Sequence, residues 1–289
     1  MFNVAHCGKK KRLDRIITNN RMLIVPIDDS LIFGPFDGLA DLSTTIKAIS
    51  RSMPSAILGY KGSYSILSEE ASNYFQIPFI INVTASTTSG KHLQKIKSCS
   101  IREAEIMGAD CIAAHVNFFN QYENEMIYNL ANIISKADEL GMPTLTIAYP
   151  RGVSNDGKDY NFEEERDNNI DSYTRRICHC VRVSVELGTD IVKTQYTGSV
   201  PTFQRVVDSA LGKPVIIAGG PVISISKSYQ MAKDAINAGA AGVSYGRNVF
   251  NAENIEAYMA GIKAIVFNNA SVEEALNIYK GVVENAKLE

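Results

Sequence analysis

Lys193 stands in an apolar run, preceded by Ile191-Val192. An ammonium is costly to bury there, and burial lowers its pKa. A lysine so tuned is a neutral amine, which attacks a ketone to form an imine. The protonated imine then draws electrons from the adjacent C–C bond. Tyr149 ends another apolar run, PTLTIAY (143–149), and Asp28 follows Leu23-Ile24-Val25-Pro26-Ile27. A phenol near an imine can pass a proton to or from a substrate hydroxyl. A carboxylate can orient that hydroxyl or the amine. Packing competes with each reading: the lysine stem can lie along apolar surface with its head in water, and the tyrosine can pack at a rim. Lys61, after Gly59-Tyr60, is a second cation that would depress Lys193 or hold substrate. His115 either assists or is a hydrogen-bonded structural histidine.

Two glycine-bearing pairs suit an anion. Gly219-Gly220 and Gly246-Arg247 end the last two apolar runs. Glycine lets backbone N–H groups approach an anion closely, and a helix N-terminus adds positive potential. Arg247 adds a guanidinium fork. Phosphate sites of (β/α)8 barrels form in that same place, after strands seven and eight.

These residues need elements to hold them. Eight short apolar runs recur: residues 22–28, 55–61, 78–84, 110–117, 143–149, 190–196, 214–220 and 241–247. Continuous apolar runs of this length suit strands buried on both faces of a parallel sheet. Helical spacing of apolar residues over 120–140, 168–187 and 224–238 predicts helices between the later runs. Met107-Gly108-Ala109-Asp110, Leu187-Gly188-Thr189-Asp190 and Ala238-Gly239-Ala240-Ala241 repeat a glycine where a helix closes and a strand begins. Eight such units predict a closed (β/α)8 (TIM) barrel forming a single domain over 1–289, with 1–20 an N-terminal extension capping it. A doubly wound open sheet is the rival. It calls for a glycine-rich turn after the first strand, where this chain has Asp28-Asp29-Ser30-Leu31. That absence also speaks against a dinucleotide-dependent oxidoreductase. Residues 152–167 read as a polar surface loop.

A net charge of −2 without a long run of one sign gives no footprint for nucleic acid or a membrane surface. The basic N-terminus is followed by no apolar run, so no signal peptide or membrane anchor is expected, and the expected location is the cytoplasm. The five cysteines form no CxxC pair, and Cys178-His179-Cys180 lacks further ligands for zinc. Free thiols in a reducing compartment are the reading, with no metal and no cofactor.

Ile24-Val25-Pro26-Ile27-Asp28, His115-Val116-Asn117, Tyr149-Pro150-Arg151-Gly152, Val192-Lys193-Thr194-Gln195-Tyr196-Thr197-Gly198, Ala218-Gly219-Gly220-Pro221 and Gly246-Arg247-Asn248-Val249-Phe250 occur in order. The pattern, covering nearly the whole chain, resembles the archaeal-type class I fructose-bisphosphate aldolases and the related 2-amino-3,7-dideoxy-D-threo-hept-6-ulosonate synthases. The resemblance implies Lys193 as the Schiff-base lysine, Tyr149 as acid/base, Asp28 in proton transfer and a phosphate on the last two strands. It also implies a metal-independent homo-oligomer, often a decamer. The small-molecule partners would be a dihydroxyacetone phosphate-like ketose donor and an aldehyde. One departure stands out. The family reads Asp-His-Gly after strand one, and this chain reads Asp28-Asp29-Ser30. A carboxylate in place of imidazole suggests that Asp29 meets the ammonium of an amino-aldehyde such as aspartate semialdehyde. A biosynthetic aminoheptulosonate-type synthase is therefore the leading expectation. A fructose-bisphosphate aldolase, a thiolase acting on a phosphorylated diketone, and a non-catalytic sugar-phosphate-binding paralogue are the alternatives.

Overall fold

The computed structural model describes residues 4–35, 37–70, 76–90, 92–154, 157 and 159–288. Its eight barrel strands are β1 (Met22–Pro26), β2 (Ala56–Gly59), β3 (Phe79–Asn82), β4 (Cys111–Phe118), β5 (Thr144–Pro150), β6 (Ile191–Thr194), β7 (Val215–Ala218) and β8 (Gly242–Ser244). They pair in parallel around a closed ring, and β8 returns to β1 through the register Leu23↔Val243. The expected barrel is what the chain forms.

Side chains alternate along each strand, which fixes what each face must be. One set, including Ile24, Leu58, Ile80, Ala113, Ile147, Ile191 and Ile216, fills the barrel interior. The intervening set, including Val25, Ile57, Ile81, Ala114, Val192, Ile217 and Val243, packs under the helices. Both faces are apolar, so the strands read as continuous apolar runs rather than alternating ones.

The junction repeat has a structural purpose beyond closing helices. Gly108, Gly188 and Gly239 all have positive φ. Two residues on, Asp110 accepts a hydrogen bond from the Phe79 N–H at 3.0 Å, and Asp190 accepts one from the Thr144 N–H at 2.9 Å. Each carboxylate thereby holds the entry of the preceding barrel strand. The helix Val4–Ile16 sits at this same end. Lys9 pairs with Asp190 at 2.9 Å, Arg15 pairs with Asp110, and Ile16 joins the inner apolar set.

At three of the run ends that differ from the sequence reading, a polar residue starts a helix. β1 stops at Pro26, and Asp29 opens the helix Asp29–Phe33. β8 spans three residues, and Arg247 opens the helix Arg247–Phe250. β2 stops at Gly59, and Lys61 begins the helix Lys61–Glu70. The amphipathic helices lie at Glu123–Glu139, Ile170–Glu186 and Ile225–Asn237. Within 152–167, Gly152–Val153 pairs antiparallel with Asp159–Tyr160, and a short helix covers Glu163–Asn168; residues 155, 156 and 158 lie outside the described ones. No described helix is long and apolar enough to cross a membrane.

Candidate active site

The alternation that fills the barrel also builds its mouth. Ile80, Ala113, Ile147 and Ile191 belong to the inner apolar set. Two residues further along the same strands stand Asn82, His115, Tyr149 and Lys193. The last inner layer thus changes from apolar to chemical at the C-terminal ends of the strands, where barrel enzymes carry their sites.

Lys193, Tyr149, Asp28, Asp29, His115, Gly219, Gly220, Gly246 and Arg247 all line one cleft of about 100 Å³. Lys193 is 6% exposed. Burial lowers its pKa from the ordinary lysine value; Asp28 and Asp29 pull the other way, and Arg247 adds to the lowering. The direction favours a neutral amine. Asp28 is buried, and its Oδ2 accepts a hydrogen bond from Asn82 Nδ2 at 3.0 Å. Burial pushes the Tyr149 phenol well above its ordinary value, as does the Asp28 carboxylate, so it is protonated and ready to donate. His115 meets the Tyr149 ring edge-on at 5.1 Å. Burial and nearby cations hold this imidazole neutral, and its Nε2 has no hydrogen-bond partner among the described residues.

Gly219 and Gly220 follow β7, the strand that pairs with the Lys193 strand. A Cβ on Gly219 would lie 2.9 Å from the Tyr245 ring, whereas one on Gly220 (φ +67°) would meet nothing within 4 Å. Gly219 is therefore a packing requirement, and Gly220 leaves an open approach to the backbone. Gly246 precedes the Arg247 helix, and its Cβ would lie 2.7 Å from the Pro26 carbonyl oxygen. Arg247 Nε stands 3.4 Å from Asp29 Oδ2. Asp29 thus faces the guanidinium expected to hold phosphate.

Lys61 is not among the residues lining the cleft. It starts a helix, is half exposed, and its Nζ donates to Glu103 at 2.8 Å. The sequence run carried it to the end of strand two, but the strand ends two residues earlier and the chain turns outward.

Sequence reasoning missed a second cationic group. Lys95 is 3% exposed, and its Nζ donates to Ser86 Oγ at 2.6 Å. Burial and the Arg151 charge lower its pKa to about 7. Ser86 also hydrogen-bonds the His92 carbonyl at 3.0 Å, and His92 Nε2 meets Arg151 Nη1. Burial and these cations bring His92 down to about 3. Lys95 lies in the mixed stretch 90–98, which has neither strand nor helix periodicity. Only the Tyr149-Pro150-Arg151-Gly152 motif pointed to this wall.

A barrel with titratable side chains gathered at its strand ends defines a class: enzymes that do their chemistry in the mouth of a (β/α)8 fold. More particularly, this chain belongs to the DeoC/LacD family of aldolases, whose family model matches residues 22–252. It is 37% identical over 274 residues to 2-amino-3,7-dideoxy-D-threo-hept-6-ulosonate synthase of Halobacterium salinarum, covering 94% of this chain and 97% of that one. It is 31% identical over 271 residues to 2-amino-4,5-dihydroxy-6-oxo-7-(phosphonooxy)heptanoate synthase of Streptomyces griseus, covering 92% and 93%. An archaeal fructose 1,6-bisphosphate aldolase structure superposes with a TM-score of 0.77 at 23% identity, over 90% of this chain and 99% of that one. The fructose-bisphosphate aldolase of Slackia heliotrinireducens superposes with a TM-score of 0.83 at 17% identity, over 97% and 92%. At those identities the structural likeness speaks for the fold.

Proposed function

We propose that the protein is a class I aldolase that joins a three-carbon ketone donor to aspartate semialdehyde through an imine on Lys193. The carrying observation is that a buried amine with a lowered pKa, a protonated phenol and a carboxylate line one cleft.

The Lys193 nitrogen attacks the donor carbonyl carbon, and the carbonyl oxygen leaves as water. The adjacent carbon loses a proton, giving an enamine. That carbon attacks the aldehyde carbon, a C–C bond forms, and the aldehyde oxygen takes a proton. Tyr149 is the group that moves these protons, with Asp28 and the neutral His115 beside it. Water then releases the ketone and returns the amine. Gly220, Gly246 and Arg247 form the rim suited to a donor phosphate.

The acceptor follows from chemistry. A product named 2-amino-3,7-dideoxy-hept-6-ulosonate carries its ketone at C6, so an imine there activates C5 and the bond made is C4–C5. Disconnection leaves a four-carbon aldehyde with an amine at C2 and a carboxylate at C1, which is aspartate semialdehyde. The same bond joins dihydroxyacetone phosphate to that aldehyde in the 7-phosphonooxy product. Incubation with dihydroxyacetone phosphate and aspartate semialdehyde, followed by mass spectrometry, tests the proposal. A seven-carbon amino keto acid supports it. Cleavage of fructose 1,6-bisphosphate with no such product would replace it with the glycolytic alternative. The expected homo-oligomer is part of the same reading, and light scattering tests it.

A further inference from the structure

The cleft opens into a second, larger cavity of about 580 Å³. The two share Tyr149, Arg151, His92 and the Gly219-Gly220 turn, so a substrate in the cleft can extend outward. The outer cavity is lined by Arg151, Arg166 and Arg247 and by Asp159 of the hairpin that follows β5. Asp159 is the single carboxylate among its described lining residues. Arg166 Nε also pairs with Asp167 at 2.9 Å. Asn161 Oδ1 accepts from Arg151 Nε at 2.8 Å, and His92 meets Nη1, so this guanidinium is held at the boundary between the two cavities.

The geometry points to this outer cavity as the subsite for the α-amino acid end of the acceptor, with Arg151 and Arg166 facing its carboxylate and Asp159 its ammonium. The inference rests on the aldolase reading above and deepens it. Charge decides between acceptor classes. A purely anionic aldehyde such as glyceraldehyde 3-phosphate gains from the arginines but meets Asp159 with like charge. A zwitterion satisfies both signs. Arg151 and Asp159 both line this cavity, and both act electrostatically on one common group, the Lys95 amine. Asp29, the other carboxylate considered for the ammonium, is engaged with Arg247 at the donor rim. Asp159 is a specificity-determining residue on this account, not a catalytic one.

The test compares two aldehydes that differ only in the amine, aspartate semialdehyde and succinate semialdehyde, with dihydroxyacetone phosphate as donor. The readout is the ratio of their kcat/KM values in the parent enzyme and in Asp159→Asn and Asp29→Asn. Asp159→Asn is expected to lower that ratio roughly threefold to tenfold, a modest figure because an exposed carboxylate is screened by solvent. An unchanged ratio, whether through equal loss on both aldehydes or no loss, overturns the inference. A ratio that moves with Asp29→Asn instead also overturns it. Borohydride trapping of the donor on Lys193 is run beside these assays. If trapping succeeds and the ratio does not move, the subsite alone fails. If trapping fails, the aldolase reading falls and the subsite falls with it.

Discussion

Asp29 Oδ2 faces Arg247 Nε across 3.4 Å at the rim of the cleft. Burial and the Asp28 carboxylate raise the Asp29 pKa, while Arg247 and Lys193 oppose them. An anion brought to this rim therefore meets a guanidinium whose charge is already partly answered. Asp29→Asn removes that competition. The KM for a phosphorylated donor is expected to fall about threefold to tenfold, since part-exposed charges act at high effective dielectric. Initial rates against donor concentration at low and high salt check this. A KM that rises would make Asp29 a positioning residue for Arg247.

Lys193 should impose an acid limb on kcat/KM. Its folded-state pKa is depressed, so the ammonium prevails at low pH and activity rises as pH climbs through the depressed value. Stability moves in the same direction. Between the folded pKa and the unfolded value of roughly 10.5 the unfolded chain binds more protons, so this group's contribution to stability increases with pH. Asp28 holds the lysine pKa up. Asp28→Asn should shift the acid limb to lower pH while kcat drops, and a pH–rate series on both proteins checks it.

Tyr149→Phe removes the proton donor and leaves the ring that His115 packs against. A loss in kcat of roughly a hundredfold to a thousandfold is expected, as for removal of a general acid–base group. Imine formation with the donor alone should persist, which single-turnover trapping would show. A Tyr149→Phe enzyme with normal kcat would assign the proton transfers elsewhere.

At the other end of the barrel, Asp190 is a stability residue. It accepts from the buried Thr144 N–H and pairs with Lys9. Asp190→Ala leaves that donor unsatisfied and is expected to cost about 2–4 kcal/mol. Urea unfolding checks the cost, and kcat below the transition should be preserved because the mouth lies at the opposite strand ends.

Most of the barrel was legible because both faces of its strands are apolar, which turns each strand into an unbroken run of β-branched and aliphatic residues. Lys193 and Tyr149 were legible for the same reason: a titratable group inside such a run has no apolar excuse. Lys61 misled because sequence cannot say where a run stops being strand, and a lysine at the first position of a helix points away from the axis. Lys95 and His92 were invisible because irregular backbone holds them, and irregular segments carry no period. Asp159 escaped notice within a polar loop whose composition suits solvent equally well.

In the proposed reaction Lys193 forms a covalent bond with the donor. Sodium borohydride added to the protein with dihydroxyacetone phosphate, followed by peptide mass spectrometry, measures it directly. A reduced adduct of the donor is expected on the peptide containing Lys193, lost in Lys193→Met. An unmodified Lys193 in an enzyme that still turns over, or an adduct on Lys95 instead, would contradict it.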